Sequence, residues 1–312
     1  MTSYILRRLW QMLPTMLGVI LLVFMLFNWV GGDPAYILAG KMSNAEQIAN
    51  IRTQLGIDQP FYVQLWIFIK QIVTFDFGSS WSTGEKVSSV ILSRLGPSLT
   101  VLIPLTILET VIAIGLALGI AFVRGSLTDR AVMVACTVGM SISILVYIIV
   151  FQYFFAYKLG MFPVQGWGDN FLENLFKYAL LPILIGLAVS VAPTLRLFRT
   201  FVLDEVNQDY VRTARAKGVS ERRILWVHVL RNAAIPIITH VMSNLPALLI
   251  GAFLIERFFS IPGIGREVIL AVERSDFPVI KAITVYVAAA TMIFNLLTDL
   301  LYQAVDPRVQ LK

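Results

Sequence analysis

Few side chains in this 312-residue sequence could do chemistry, and their types exclude several kinds of site. The two histidines, His228 and His240, are too few for an HExxH pair or a histidine-rich metal site. Residues 84–86 (Gly-Glu-Lys) lack the spacing of a phosphate-binding loop, and residues 139–141 (Gly-Met-Ser) lack the second glycine of a nucleophile elbow. The sequence therefore predicts that this chain is not an enzyme and holds no metal or nucleotide cofactor itself.

The most informative polar segment is the basic stretch 204–231. Its first half has a helical composition, and Gly218 suits the left-handed position that follows a helix. Ser220 then begins a second helix whose first turn holds Glu221, where a negative charge meets the helix dipole favourably. Ala214 and Gly218, four residues apart, predict a small face that another protein could approach closely. The alternative is a basic loop that only fixes the topology and contacts anionic lipid.

One carboxylate, Glu109, lies inside a long apolar run. A charge at the centre of a membrane span costs about 2.5–3.5 kcal/mol, so such a residue is a functional candidate. Glu109 could line a path across the membrane, or it could hold helices together by bonding a neighbouring helix or hydroxyls such as Thr106 and Thr110. The structural role is favoured here. Asn295 and Asp299, four residues apart in the last apolar run, predict polar contacts between helices.

The elements that must position these residues are membrane spans. Of all residues 57% are hydrophobic and 14% are charged, and the mean hydropathy is +0.77, whereas about 25% of a soluble domain is charged. The only cysteine, Cys136, lies in an apolar run, so no disulfide within the chain is possible. The pattern predicts an all-α integral membrane protein with about six transmembrane helices. They lie near residues 9–30 (within an amino-terminal segment 1–30), 98–123, 131–156, 178–203, 232–255 and 280–304.

Two polar segments are expected to fold outside the membrane. Residues 31–95 predict a small extracytoplasmic domain, because they mix Gly, Pro and both charge signs with an amphipathic stretch at 61–73. Its aromatic residues, among them Trp66, Phe68 and Phe77, could supply a core. Residues 257–276 combine three basic and three acidic residues with turn residues, which predicts a hydrogen-bonded cap. A solvated surface and a docking surface for another protein are the alternatives.

The distribution of Lys and Arg predicts the orientation in the membrane. An even number of spans puts both termini on one side, together with the loops near 124–130 and 204–231. That side holds 14 of the 25 basic residues and seven acidic ones, a net charge of +7, whereas the other side carries 11 of each sign. Both termini are therefore expected in the cytoplasm, and the basic balance reflects topology rather than nucleic-acid binding. The first apolar run exceeds a signal-peptide core, so we expect it to be retained.

Residues 209–218 (Asp-Tyr-Val-Arg-Thr-Ala-Arg-Ala-Lys-Gly), with 228–232 (His-Val-Leu-Arg-Asn) and Pro236, resemble the coupling loop of bacterial ABC importer permeases. The variant is that of the dipeptide/oligopeptide permease family. The resemblance extends through residues 4–8, 32–35, 55–60, 76–80, 261–265 and 306–308, and so covers nearly the whole chain. The chain departs from the pattern where residues 212–214 replace the Glu-Ala-Ala of importers in general, where residue 31 replaces a proline, and near residues 141–144, where a proline is missing.

This resemblance implies a type I importer transmembrane domain over residues 96–305 and a cytoplasmic coupling helix, within 204–231, that docks on an ATPase subunit. It implies that the chain pairs with a homologous second permease subunit, two ATPase subunits that bind ATP and Mg²⁺, and an extracytoplasmic peptide-binding protein, with membrane lipid as solvent. Basic residues of the segment would offer charge to an acidic rim of the ATPase. The residues expected at this contact are Tyr210, Arg212, Thr213, Ala214, Arg215, Ala216, Lys217 and Gly218.

The activity that the resemblance implies is import of di- and oligopeptides across a bacterial inner membrane by alternating access. One alternative is the same type of importer with another cargo, such as nickel, glutathione or an oligosaccharide. Another is an ion-driven secondary transporter, which would show inverted repeats and several paired charges within the membrane. Glu109 is the only isolated charge at mid-span in the sequence, so this second alternative is disfavoured.

Overall fold

A computed structural model describes residues 2–30, 34–39 and 44–305. Within these ranges the chain contains helices and no β-strand, and one isolated antiparallel bridge joins Ser79 and Lys86. Residues 32–33 and 306–308, which contribute to the resemblance to the permease family, lie outside the described ranges. The helices are α1 (Thr2–Met25), α2 (Pro34–Ala39), α3 (Ala45–Leu55), α4 (Phe61–Thr74), α5 (Val87–Phe122), α6 (Leu127–Ser141), α7 (Ile144–Phe151), α8 (Phe171–Glu173), α9 (Leu180–Val206), α10 (Asp209–Ala216), α11 (Glu221–Arg223), α12 (Leu230–Ile250), α13 (Phe253–Phe258), α14 (Ile264–Glu273) and α15 (Phe277–Val305). Helices α1, α7, α8 and α11 run on as π-helical turns at Leu26–Val30, Gln152–Lys158, Asn174–Tyr178 and Ile224–Val229.

Five helical stretches in the described part are long and apolar enough to cross a membrane, and a bent pair makes a sixth if it counts as one span. The predicted all-α fold with about six spans is therefore confirmed. The five stretches are Leu6–Asn28, Val87–Phe122, Leu180–Val206, Glu221–Pro246 and Phe277–Leu300.

Helix α5 differs from the predicted span 98–123, because it begins at Val87. At 1.5 Å per residue its 36 residues extend about 54 Å, well beyond a hydrocarbon core of roughly 30 Å. The predicted boundary between residues 31–95 and 96–305 therefore falls inside a continuous helix. The polar segment and the span domain are joined there by one helix.

The predicted span near 131–156 is not one straight helix. Helix α6 ends at Ser141, α7 starts at Ile144, and the two are bent by 91°. The hydroxyl of Tyr147 in α7 donates a hydrogen bond of 3.1 Å to the carbonyl oxygen of Gly139. This bond pairs a carbonyl of the last turn of α6, and backbone groups at membrane depth need such partners. The bend thus forms without the proline that the family pattern has in this region.

The prediction that residues 31–95 form an aromatic core of their own is wrong for the residues that the structure describes. Phe68 of α4 is buried, but it stacks on Phe24 of α1 with ring centroids 6.0 Å apart. Phe77 is buried in another cluster, among side chains of α5, α14 and α15, and Trp66 is 67% exposed. The buried aromatic side chains of the segment pack on the apolar faces of the spans instead of on one another.

Helices α5 and α9 make the most extensive contact between any two helices in the described part of the chain. Gly186 of α9 lies so close to α5 that an added Cβ would be 2.7 Å from Cδ2 of Leu105. Towards the end of α9, Ala113 and Ala117 of α5 share a fully buried cluster with Phe198. Small residues let membrane helices approach closely and gain van der Waals contact. This pair of helices carries the candidate site at one end.

Polar contacts join other elements of the bundle. Asp299 of α15 pairs with Arg8 of α1 at 3.0 Å, which confirms the predicted contact between helices at that residue. In the predicted cap, the buried carboxylate of Asp276 accepts hydrogen bonds from the hydroxyls of Ser80 and Ser82 at 2.5 and 2.9 Å. The cap between α13 and α15 is therefore hydrogen-bonded, as predicted, and it holds the segment before α5 against the start of α15.

Candidate functional site

The basic segment forms a helix, a glycine corner and a second helix. Helix α9 runs to Val206, so the short helix begins at Asp209 rather than at residue 204. Gly218 has φ +76°, which confirms the predicted left-handed position. Ser220 is extended and precedes α11 at Glu221, as expected, although its side chain makes no capping hydrogen bond.

The inner face of α10 is buried in the chain's own core. Val211 and Ala214 are 0% and 9% exposed, and they belong to one cluster with Val202 of α9 and Ile224 after α11. The predicted small face of Ala214 and Gly218 is therefore wrong, because Ala214 points inward with Val211 one helical turn earlier. Ala214 anchors the helix and is not available to another protein.

The outer face of α10 is exposed. Asp209 and Arg215 are exposed and form ion pairs, and the other exposed side chains are those of Arg212, Thr213, Ala216 and Lys217. Beyond them, a Cβ added at Gly218 would meet no heavy atom within 4 Å. Two of these residues are small and two are basic, so a partner could approach the backbone here between positive charges.

Two of the three cations in α10 and its end already have partners. The guanidinium of Arg215 donates two hydrogen bonds, 2.6 and 3.1 Å long, to the carboxylate of Glu221, and this contact raises the pKa of Arg215. The pair closes the corner between α10 and α11. Arg212 lies 3.2 Å from Asp209, and both are largely exposed. Lys217 has no ion pair within the described residues, so it is the cation most available to an acidic partner.

Side chains also tie α10 to neighbouring elements. The hydroxyl of Tyr210 donates a 2.7 Å hydrogen bond to the carboxylate of Glu205 near the end of α9. Burial raises the pKa of Tyr210 to about 12. Arg124, in the turn between α5 and α6, donates to the side-chain oxygen of Asn207 at 3.0 Å. Tyr210 thus supports the site from behind rather than forming its outer face.

An ion pair that the sequence analysis missed lies at the same end of the bundle. Arg199 of α9 donates two hydrogen bonds, 2.9 and 2.8 Å long, to Asp129 of α6, which is 5% exposed. The same carboxylate accepts a hydrogen bond from the backbone N–H of Gly125. Ser126 caps α6 by accepting from the N–H of Asp129. A serine three residues before an acid was the available signal, because this spacing is typical of helix starts.

Glu109 contacts another helix of this chain. Its Oε1 accepts a hydrogen bond of 2.5 Å from the hydroxyl of Thr194 in α9. Of the partners expected from the sequence, Thr110 instead donates to the carbonyl oxygen of Thr106 at 2.7 Å. The carboxylate therefore links α5 to α9 across the central helix contact.

Glu256 of α13 is a second carboxylate that the sequence analysis missed. It is fully buried, and it lies at the end of the helix bundle opposite to α10. It accepts hydrogen bonds from the hydroxyl of Ser98 and the backbone N–H groups of Ala252 and Arg266, at 2.8–3.0 Å. Burial raises its pKa. The glycines of residues 261–265 were the signal, because backbone can approach a carboxylate closely where there is no Cβ. In the described residues no group of three or more His, Cys, Asp or Glu could hold a metal ion.

Two family models match the sequence. The model described as "Binding-protein-dependent transport system inner membrane component" matches residues 110–311. The amino-terminal model of the same systems matches residues 1–102. The candidate site at 209–218 lies within the first match, and the polar segment before α5 lies within the second.

Similar proteins cover the full length of the chain. The glutathione transport system permease protein GsiC of Escherichia coli is 36% identical over 321 residues, with 100% of both chains covered. The protein of that name from Salmonella typhimurium is 36% identical over 314 residues, again over 100% of both chains. A probable peptide ABC transporter permease protein of Sinorhizobium fredii is 32% identical over 312 residues, covering 99% of this chain and 100% of the relative.

Proposed function

Since the chain belongs to the family of inner-membrane components of binding-protein-dependent transport systems, as an ABC importer permease of the dipeptide/oligopeptide type, we propose that it carries short peptides across the inner membrane. The observation that carries this proposal is identity along the full chain to a probable peptide permease and to glutathione permeases. Glutathione, itself a tripeptide, is the second candidate cargo, because permeases named for it are 36% identical to this chain. Both cargoes need a path for a small polar chain with charged ends.

In the proposed complex this chain pairs with a homologous second permease. Two ATPase subunits bind ATP and Mg²⁺, and an extracytoplasmic binding protein delivers the peptide. ATP closes the ATPases, which moves α10 of each permease and changes the side of the membrane to which the path opens. Such coupling requires that ATP bind one state more tightly than the other and that a rigid contact transmit the difference.

The rigidity of the α10 corner supports this proposal. Val211 and Ala214 fix the helix to the core, and the Arg215–Glu221 pair fixes the corner that follows. The outer residues Thr213, Ala216 and Lys217 then form the docking face for the ATPase, while Arg212 lies at its edge. A face held in this way moves together with α9 and α12.

The remaining site residue and the orientation complete the proposal. Glu109 has a structural role, because its bond to Thr194 joins two helices of one subunit. Both termini and α10 lie in the cytoplasm, which places α4 and the cap of α13 and α14 outside. The net charge of +7 on one side supports this orientation.

Ala216→Asp tests the docking face. The chain is reconstituted with its second permease, ATPases and loaded binding protein, and ATP hydrolysis and peptide uptake are measured. An unpaired charge buried at an interface costs about 2–5 kcal/mol, so both activities should fall at least roughly tenfold. Ala216→Ser, which adds no charge, and Thr128→Asp, an exposed position at the start of α6, should keep both. Full hydrolysis and uptake in an assembled Ala216→Asp complex would exclude α10 as the ATPase contact.

Cargo is tested in the same vesicles with the parent chain. Uptake of a labelled dipeptide, a labelled tetrapeptide and labelled glutathione is compared at equal concentrations of binding protein and ATP. Preference for the dipeptide or the tetrapeptide supports short peptides as the cargo, and exclusive uptake of glutathione supports glutathione. Uptake driven by an ion gradient without ATPase subunits would contradict both.

A further inference from the structure

Lys281, near the start of α15, carries an ammonium group that no predicted function uses. Within the described residues it has no hydrogen bond and no ion pair. Its contacts are aromatic, since Nζ lies 5.5 Å from the ring centroid of Phe27 and 5.8 Å from that of Phe68. A cation over aromatic faces is attracted by the rings, but its N–H donors remain free for an anion.

Lys281 lines a cavity of about 750 Å³ between α1, α4, α15 and the segment after α4. The apolar wall includes Phe24 and Phe68, and Gln71, Ser79 and Trp81 add polar groups. No Asp or Glu is among the described residues that line the cavity. The described lining residues therefore offer one positive charge and several hydrogen-bonding groups, and no carboxylate among them pairs with that charge.

Neighbouring amides in the cavity wall are already satisfied. Gln64 donates to the carbonyl oxygens of Ile57 and Gln59 at 2.8 and 2.7 Å. Its side-chain oxygen accepts a hydrogen bond from Asn28 at 3.3 Å. These bonds fix the wall and leave Lys281 as the group that attracts a charged ligand.

The cavity lies beside the ends of two candidate membrane spans. The first span ends at Asn28 and the last begins at Phe277, and Asn28 and Lys281 both line the cavity. Helix α4 beside it is apolar but too short to cross a membrane, and its Tyr62 and Trp66 are 72% and 67% exposed. Exposed aromatic side chains on such a helix are typical of the membrane–water interface, where lipid phosphates lie.

We propose that this cavity binds the phosphate of an anionic phospholipid, with Lys281 as its counter-ion and the acyl chains against the exposed apolar face of α4. A positive side chain in a pocket between membrane helices attracts the phosphate of a lipid head group. A lysine close to the end of a span also places its charge at the level of the head groups. The bound lipid would join the first span, α4 and the last span.

The test is native mass spectrometry of the full chain, purified in detergent and incubated with phosphatidylglycerol. The parent should retain this lipid and not diacylglycerol with the same acyl chains. One Lys near the surface contributes about 1 kcal/mol, so Lys281→Gln should retain about fivefold less. Lys281→Arg should keep binding. Lys70→Gln removes the same charge from an exposed position of α4 outside the cavity and should retain as much as the parent.

Four results would overturn the proposal. The first is that the parent and a helical, monodisperse Lys281→Gln variant retain equal amounts of phosphatidylglycerol, and the second is that the parent retains diacylglycerol as well as phosphatidylglycerol. The third is that added inorganic phosphate releases the phosphatidylglycerol, and the fourth is that glycylglycine displaces it. The third result would assign the site to free phosphate, and the fourth to the carboxylate of a peptide. Circular dichroism of each variant establishes that it is folded.

Discussion

The ion pair between Asp129 and Arg199 offers a quantitative test of how α6 is held against α9. The two side chains are 6% and 23% exposed, so solvent screens the pair little. Removing one partner of a buried pair costs about 3–5 kcal/mol, because a charge is left without compensation. Arg199 keeps some contact with water, and we therefore expect Asp129→Asn to lower the free energy of unfolding by about 3 kcal/mol.

A double-mutant cycle separates the pair from its surroundings. Arg199→Gln should cost a similar amount, since it leaves Asp129 with the N–H of Gly125 and only the charge of Arg124, which makes no ion pair with it. The double variant should be less destabilised than the sum of the single ones, with a coupling energy of about 2–3 kcal/mol. Arg199→Lys is the matched control, because it keeps the charge but not the two parallel hydrogen bonds, and should cost about 1 kcal/mol.

The assay is equilibrium unfolding in mixed micelles of mild detergent and dodecyl sulfate, followed by circular dichroism. The slope of the transition should be the same in all variants, so that midpoints report stability. If the two single effects add within about 0.5 kcal/mol, the residues act independently. The close contact of 2.8 Å would then contribute nothing as a pair, and the reasoning above would be refuted.

Three further predictions concern other parts of the chain. Gly186→Val should destabilise the chain by about 1–3 kcal/mol through overpacking against α5, and Leu105→Ala in the same chain should restore part of this in the same unfolding assay. Cysteines placed at Ser82 and Ser220, in a background without the native cysteine, should react with an impermeant reagent from outside at the first position only; the reverse pattern would invert the proposed orientation. The pKa of Tyr210 is raised to about 12 from an ordinary value of about 10, so the folded state keeps the phenol proton longer. Stability from this group is fully present below about pH 10 and is lost as the pH rises towards about 12; Tyr210→Phe should lack this part of the fall in a pH series, and an unchanged profile would contradict it.

The number of spans and the glycine corner were predictable because both depend on local sequence. A run of apolar residues as long as that in α9 predicts a span wherever it occurs. Gly218 ends a helical pattern, and its positive φ follows from the chemistry of one residue. The charge balance that predicts orientation is likewise a sum over loops and needs no tertiary contact.

The contacts of the candidate site were less predictable, because they depend on residues far apart in sequence. Ala214 lies on the inner face of α10 because it packs in one buried cluster with Val202 and Ile224. Arg215 looks like a free cation until Glu221 is brought beside it by the glycine corner. The 91° bend after Ser141 was likewise unpredicted, since no proline marks it.

The buried carboxylate of Glu256 restricts which substitutions are acceptable at Gly251, at Gly263 and at Glu256 itself. A Cβ at Gly251 would lie 2.6 Å from Glu256 Oε1 and equally close to the backbone nitrogen of Gly265. A Cβ at Gly263 would overlap both the carboxylate and the hydroxyl of Ser98. Shortening Glu256 to alanine would make room but would leave that hydroxyl and two N–H groups without an acceptor. A side chain at either glycine and a shortened Glu256 are therefore each unfavourable. At Gly251, where φ is +81° and the backbone of Gly265 is close, removal of the carboxylate would not make room for a side chain.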